Sequence, residues 1–125
     1  MTEDAERVSS ADVVRMYERG RRDFRGVEVS DDGGTPALRG AILEGADFGG
    51  SFIVADFSRA FLRGSSFRLA NVKTCRFDQA DLSNADFRGA AIDAATFTDA
   101  VLEGADFEGA GWFGIALGKR ERRRS

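Results

Sequence analysis

In the stretch QADLSNADFRGA, residues 79–90, alanine returns at Ala80, Ala85 and Ala90, an interval that fits neither regular element. A helix would set apolar residues at i, i+3, i+4 and i+7, and a half-buried strand would alternate by two. With the large apolar residue of ADLSN and ADFRG as the centre of a block, the register runs unbroken through Phe57, Leu62, Phe67, Val72, Phe77, Leu82, Phe87, Ile92, Phe97, Leu102, Phe107, Trp112 and Leu117. Two residues before each centre stands a small one: Ala55, Ala60, Ser65, Ala70, Cys75, Ala80, Ala85, Ala90, Ala95, Ala100, Ala105 and Ala110, until Ile115 departs from the rule. Each block therefore offers one small and one large side chain to a core. Its other positions are Asp, Asn, Arg, Ser, Thr or Gly, which suit solvent and turns. A fixed short period of this kind marks a solenoid, in which stacked repeats bury a continuous core.

At ADFGG, ADFSR, ADLSN, ADFRG and ADFEG the chain resembles the pentapeptide-repeat family, over about residues 22–118. The resemblance implies an all-β solenoid, a right-handed quadrilateral β-helix with four blocks to a coil and the small and large residues pointing to its axis. The residues themselves carry a second period that agrees. Residues twenty apart sort by type into four columns: Phe57, Phe77, Phe97 and Leu117; Leu62, Leu82 and Leu102; Phe67, Phe87 and Phe107; Val72, Ile92 and Trp112.

Extended backward, Leu38 joins the first column, Leu43 the second, Phe24 and Phe48 the third and Val29 the fourth. Two irregularities interrupt the count. About four extra residues in SDDGGTP (30–36) read as a loop at a corner, since Gly and Pro clusters punctuate structure. One residue is missing in GGSFIV (49–54), where Phe52 rather than Ile53 is expected to face inward. Four to five coils at about 4.8 Å per layer make a rod roughly 20 Å long.

Solenoid ends expose apolar rings and strand edges, and need caps. Residues 1–21 form an N-terminal segment in which SSADVVRMYERG predicts a helix over about 10–19. Ser9 stands three residues before Asp12 as a capping-box pattern, Val13, Met16 and Tyr17 share one face, and Gly20 follows as a stop. The family resemblance adds a similar short helix running into the start Arg22-Asp23-Phe24. At the other end GWFGIALG departs from the repeat, and residues 119–125 are a basic tail. The resemblance implies self-association through the C-terminal coil, so Trp112, Phe113, Ile115 and Leu117 form a candidate homodimer interface, open against a self-capped monomer.

The inventory excludes much chemistry. The chain has no histidine and one cysteine, so Cys/His zinc sites and Ser/His/Asp triads are absent, and no catalytic, cofactor or metal residue is assigned. The glycines recur at corners rather than opening a helix as a phosphate loop does. Cys75 occupies an inward small position and reads as core. Nothing resembles a signal peptide or an apolar run of the roughly 20 residues that span a membrane, so a bacterial cytoplasmic setting is expected.

Charge is uneven: residues 1–21 sum to −1, residues 22–118 to −6 and residues 119–125 to +4. Acidic corners at Glu44, Asp47, Asp56, Asp81, Asp86, Glu103, Asp106 and Glu108 are answered by Arg59, Arg63, Arg68, Lys73, Arg76 and Arg88. Because acidic family members resemble duplex DNA and bind type II topoisomerases, the resemblance raises a DNA-mimic regulator as an alternative. Five basic residues from Arg59 to Arg76 and the short rod weigh against it, and direct nucleic-acid binding is not expected. The tail could hold phosphate or an anionic surface electrostatically. The leading reading is a non-catalytic protein-interaction scaffold with an unidentified protein partner. Its candidate face is Ile42, Phe61 and Val101, equivalent outward positions interrupted by Asp81, since exposed apolar patches mark contacts.

Overall fold

The computed structural model describes residues 5–112 and 115–117, with side chains described through Gly111. The chain is a right-handed, four-sided β-helix preceded by a short α-helix. Single parallel bridges join successive coils on each side: Asp23, Asp47, Ser66, Asp86 and Asp106 on one, and Asp56, Arg76 and Thr96 on another. Ile42, Phe61, Asp81 and Val101 form a third such series, and Phe52, Asn71, Ala91 and Gly111 a fourth. Corners are β-turns in which the residue after the turn donates to the carbonyl of the inward centre, as Ala60 does to Phe57 at 3.0 Å. The bend needs a left-handed residue two places after the centre, and Arg59, Leu69, Thr74, Gln79, Asn84, Ala94 and Asp99 all supply it with φ between 58° and 66°. This is the geometry of a type II turn.

The expected core residues Phe24, Leu43, Phe48, Phe57, Leu62, Phe67, Val72, Phe77, Leu82, Phe87, Ile92 and Phe107 are all buried. Phenylalanines of one column stack from layer to layer, with Phe48–Phe67 at 5.2 Å and Phe67–Phe87 at 4.9 Å between ring centroids. The neighbouring column, Phe57, Phe77 and Phe97, meets them edge to face. Offset stacks and T-shaped contacts are the two arrangements that aromatic quadrupoles favour. Two core expectations need correction at the C-terminal end. Phe97 is only partly buried and Leu102 is 36% exposed, because the ladder of their columns ends at Thr96 and Val101.

The missing residue falls elsewhere than expected. Ile53, not Phe52, faces the core: Ile53 is fully buried and Phe52 is 49% exposed. The reason is register. Three short parallel strands, β1 (Arg7–Ser9), β2 (Glu28–Ser30) and β3 (Phe52–Val54), pair with Val8 against Val29 and Val29 against Ile53. Ile53 keeps the five-residue step from Phe48 with Ser51 as its small partner, and extended backbone at Val54 replaces the turn. The ladder on this side begins at Arg7, inside the segment expected to hold only the lid.

Helix α1 (Ser10–Glu18) follows β1 directly. Asp12 N–H donates to the Ser9 hydroxyl at 3.0 Å and Ser9 N–H donates to the Asp12 carboxylate at 3.2 Å, which is the reciprocal capping box. The helix ends in a Schellman motif, with Arg21 N–H on the Met16 carbonyl and Gly20 N–H on that of Tyr17. Gly20 carries φ +107°. Val13 is fully buried, and Met16 and Tyr17 pack partly against the first coil. At the far end β4 (Ala110–Trp112) and β5 (Ile115–Leu117) pair antiparallel, Ala110 with Leu117. The five-residue phase expected to carry Leu117 over Phe97 therefore gives way to a chain reversal.

Candidate functional site

In eight blocks the outward residue before the inward centre has a local structural task. Carboxylates of Asp23, Asp47, Asp56, Asp81, Asp86 and Asp106 each accept from the backbone N–H two residues on, at 2.8–3.1 Å. Ser66 and Asn71 do the same for Arg68 and Lys73. These are Asx-turn contacts, and they explain why Asp or Asn precedes the centre. Most of these carboxylates also meet arginine: Asp23 and Asp47 meet Arg25, Asp56 meets Arg39, Asp81 meets Arg63 and Asp86 meets Arg88. The Ser83 hydroxyl and N–H hold Asp81 below the usual carboxylate range, and Arg88 does so for Asp86.

Phe52, Arg76, Ala91 and Thr96 on other sides make no such contact, and neither do Ile42, Phe61 and Val101. The structure brings the last three together in one ladder, with Asp81 between Phe61 and Val101, and leaves them 62%, 46% and 48% exposed. An apolar side chain there cannot accept from its own turn. On the N-terminal side the ladder runs into a groove of about 490 Å³ against α1, lined by Val14, Tyr17, Ala41 and Ile42 among others. Tyr17 closes that end, donating its hydroxyl to the Glu44 carbonyl at 2.7 Å while the Arg22 guanidinium lies 3.6 Å over its ring.

Three exposed apolar residues were missed by sequence reasoning. Phe52 and Val54 flank the buried Ile53 and line a shallow groove of about 370 Å³ on β1–β3. Their exposure follows from the register that the repeat pattern misassigned. Leu69 is exposed at a corner whose equivalents in neighbouring coils are Gly26, Gly50, Gly89 and Gly109; the exchange of Leu for Gly in that series was a readable signal. Phe113 and the side chains of Trp112, Ile115 and Leu117, like the tail 119–125, lie outside the described residues.

Among the described residues no group of three or more His, Cys, Asp or Glu side chains could hold a metal ion, and no helix is long and apolar enough to cross a membrane. Cys75 is buried, with its thiol 3.2 Å from the Ile53 carbonyl, and burial pushes its pKa up to about 12. A thiol in that state is inert as a nucleophile.

The profile of pentapeptide repeats matches residues 75–110 in eight copies. No curated protein matches the chain. Among solved structures, the pentapeptide repeat protein Rfr23 of the cyanobacterium Cyanothece 51142 is 23% identical over 72% of this chain and 60% of its own, with a TM-score of 0.61. The chain thus spans less than two thirds of that protein. The pentapeptide repeat protein alr5209 of Nostoc Pcc 7120 is 30% identical over 90% of this chain and 88% of its own, with a TM-score of 0.49. A pentapeptide repeat protein from the Arabidopsis thaliana thylakoid lumen is 22% identical over 82% of this chain and 70% of its own, with a TM-score of 0.47. The ladder geometry defines a four-sided β-solenoid, and the repeat match with the 30% identity identifies its kind. The chain belongs to the pentapeptide-repeat family.

Proposed function

We propose that the chain is a non-catalytic, cytoplasmic protein-interaction scaffold that binds through the side carrying Ile42, Phe61 and Val101. One observation carries this reading: three of four residues on that ladder are exposed and apolar at the position where the fourth, Asp81, closes its turn. Giving up a turn hydrogen bond to present an apolar group to water stabilises nothing within the monomer. It supports a surface that is covered in use.

The DNA-mimic alternative draws less support. Many of its acidic groups close turns and face arginines, so the surface does not reproduce the regular charge of about one per 1.7 Å of a duplex. Self-association through the C-terminal coil rests on the sequence of residues 112–117.

The test is affinity capture with the chain and with Phe61→Asp. This substitution installs the turn-closing residue that Asp81 supplies in the next coil and should leave the fold intact by circular dichroism. A partner retained at high salt by the chain and lost by the variant supports the scaffold. A partner released by salt and by duplex DNA, with Phe61→Asp indifferent, would replace it with mimicry. Sedimentation equilibrium on Trp112→Asp decides whether the C-terminal coil contributes.

A further inference from the structure

We propose that the occupant of this apolar side is a second copy of the chain, docked antiparallel about a two-fold axis that crosses the face between the Phe61 and Asp81 layers. The inference rests on the reading of Ile42, Phe61 and Val101 as a contact surface, and names its partner. The side is four layers tall, and its charge changes sign along the rod. The corner leading into it carries Arg39 and Arg59 in the two N-terminal layers, and Asp78 and Asp99 in the two C-terminal layers. Bonds from Gly40 to Ser58, Arg59 to Asp78 and Gln79 to Thr98 hold that corner in one stack.

A two-fold axis lying across the face inverts layer order and leaves the two edges where they are. Arg39 then meets Asp99 of the second copy, Arg59 meets Asp78, and Ile42 meets Val101. Arg63, already 4.0 Å from Asp81 of its own chain, reaches the Asp81 layer of the other copy beside Phe61. Each contact occurs twice. A two-fold axis along the rod would instead keep layer order and exchange the edges, setting Arg39 on Glu44 but Arg59 on Arg63 and Asp99 on Glu103. Two contacts oppose the pairing: at the centre Phe61 meets Asp81 of the second copy, whose charge Arg63 must answer, and on the far edge Glu44 meets Glu103. The latter clash is itself a handle, because Glu44→Lys converts it into an attraction.

A face four layers tall buries less than the roughly 1,200 Å² of a standard interface. The dimer is therefore weak, with a dissociation constant between about 10 µM and 1 mM. Sedimentation equilibrium over that concentration range on the full chain tests it, with circular dichroism on every variant. Phe61→Asp should weaken association about tenfold or more. Arg39→Asp and Asp99→Arg should each weaken it about two- to tenfold, their combination should restore it, and Glu44→Lys should tighten it. Should Phe61→Asp not fold, the Arg39 and Asp99 exchange decides alone.

A chain that stays monomeric up to about 1 mM overturns the second copy as occupant; if Phe61→Asp still loses a captured partner, the contact surface itself stands. A dimer indifferent to Phe61, Arg39 and Asp99 but lost on Trp112→Asp overturns the inference in favour of the C-terminal coil.

Discussion

Ile53 lies directly over Val29 in the parallel register of β2 and β3, and both side chains are buried while their neighbour Phe52 projects into solvent. This pairing decides which residue of the irregular block builds the core. Ile53→Ala should therefore destabilise the chain by about 2–4 kcal/mol, the range for opening a cavity at a fully buried site. Phe52→Ala should change stability by less than about 1 kcal/mol. Urea melts of the two variants check this, and equal losses would contradict the register.

The Ser65 hydroxyl is buried and has no hydrogen-bond partner, at an inward position that Ala46, Ala85 and Ala105 occupy in neighbouring coils. Removing an unsatisfied buried oxygen recovers its desolvation cost. Ser65→Ala should stabilise by about 1 kcal/mol, read as a rise in the urea midpoint at unchanged slope. A fall would show that the hydroxyl is satisfied in solution.

Thr74 is a β-branched residue held at φ 66° on an exposed corner. The left-handed region costs a non-glycine residue about 1–2 kcal/mol, and glycine offsets part of that gain by its freedom in the unfolded chain. Thr74→Gly should therefore stabilise by about 0.5–1 kcal/mol. Thermal melting against Thr74→Ala, which relieves branching but not the backbone, separates the two contributions.

Acid should unfold the protein through its turn-closing carboxylates. Ser83 lowers the pKa of Asp81, and Arg88 that of Asp86, from the ordinary 3.8; Glu6 is lowered by Arg21. A depressed folded pKa gives stability that is fully present above the unfolded value and is lost as pH falls through the folded one. Melting temperature should be flat from about pH 8 to pH 5, there being no histidine, and fall below about pH 4. Asp81→Asn with Asp86→Asn should shallow that acid limb, and an identical limb in the variant would show that other groups govern it.

Cys75 gives the opposite sign. Burial raises its thiol from 9.0 to about 12, so its contribution is complete below the unfolded pKa and is lost as pH rises through the folded one. The native chain should not react with a thiol reagent at about pH 8 until denaturant unfolds it. Cys75→Ala should flatten the alkaline limb of stability. Rapid labelling of the folded chain would place the thiol at the surface.

The sequence by itself determined the solenoid, its four columns and nearly all of its core. Every block repeats the same local problem, a small and a large residue inward with a turn between them, so the period alone identifies each buried centre from Phe57 to Ile92. The capping box at Ser9 and Asp12 was legible for the same reason, being local. The apolar ladder of Ile42, Phe61 and Val101, with Asp81 interrupting it, followed from counting block by block, although the seating of the arginine corner beside it needed coordinates.

Only the tertiary structure decided what depends on partners distant in the chain. The seating of Ile53 rather than Phe52 comes from pairing with Val29, and the early start of the ladder at Arg7 comes from that same strand. The exposure of Leu102 and the reversal that pairs Ala110 with Leu117 belong to the end of the stack, where the repeat no longer supplies a next coil. A repeat encodes its interior through identical neighbours; its irregularities and ends are set by contacts that no single block contains.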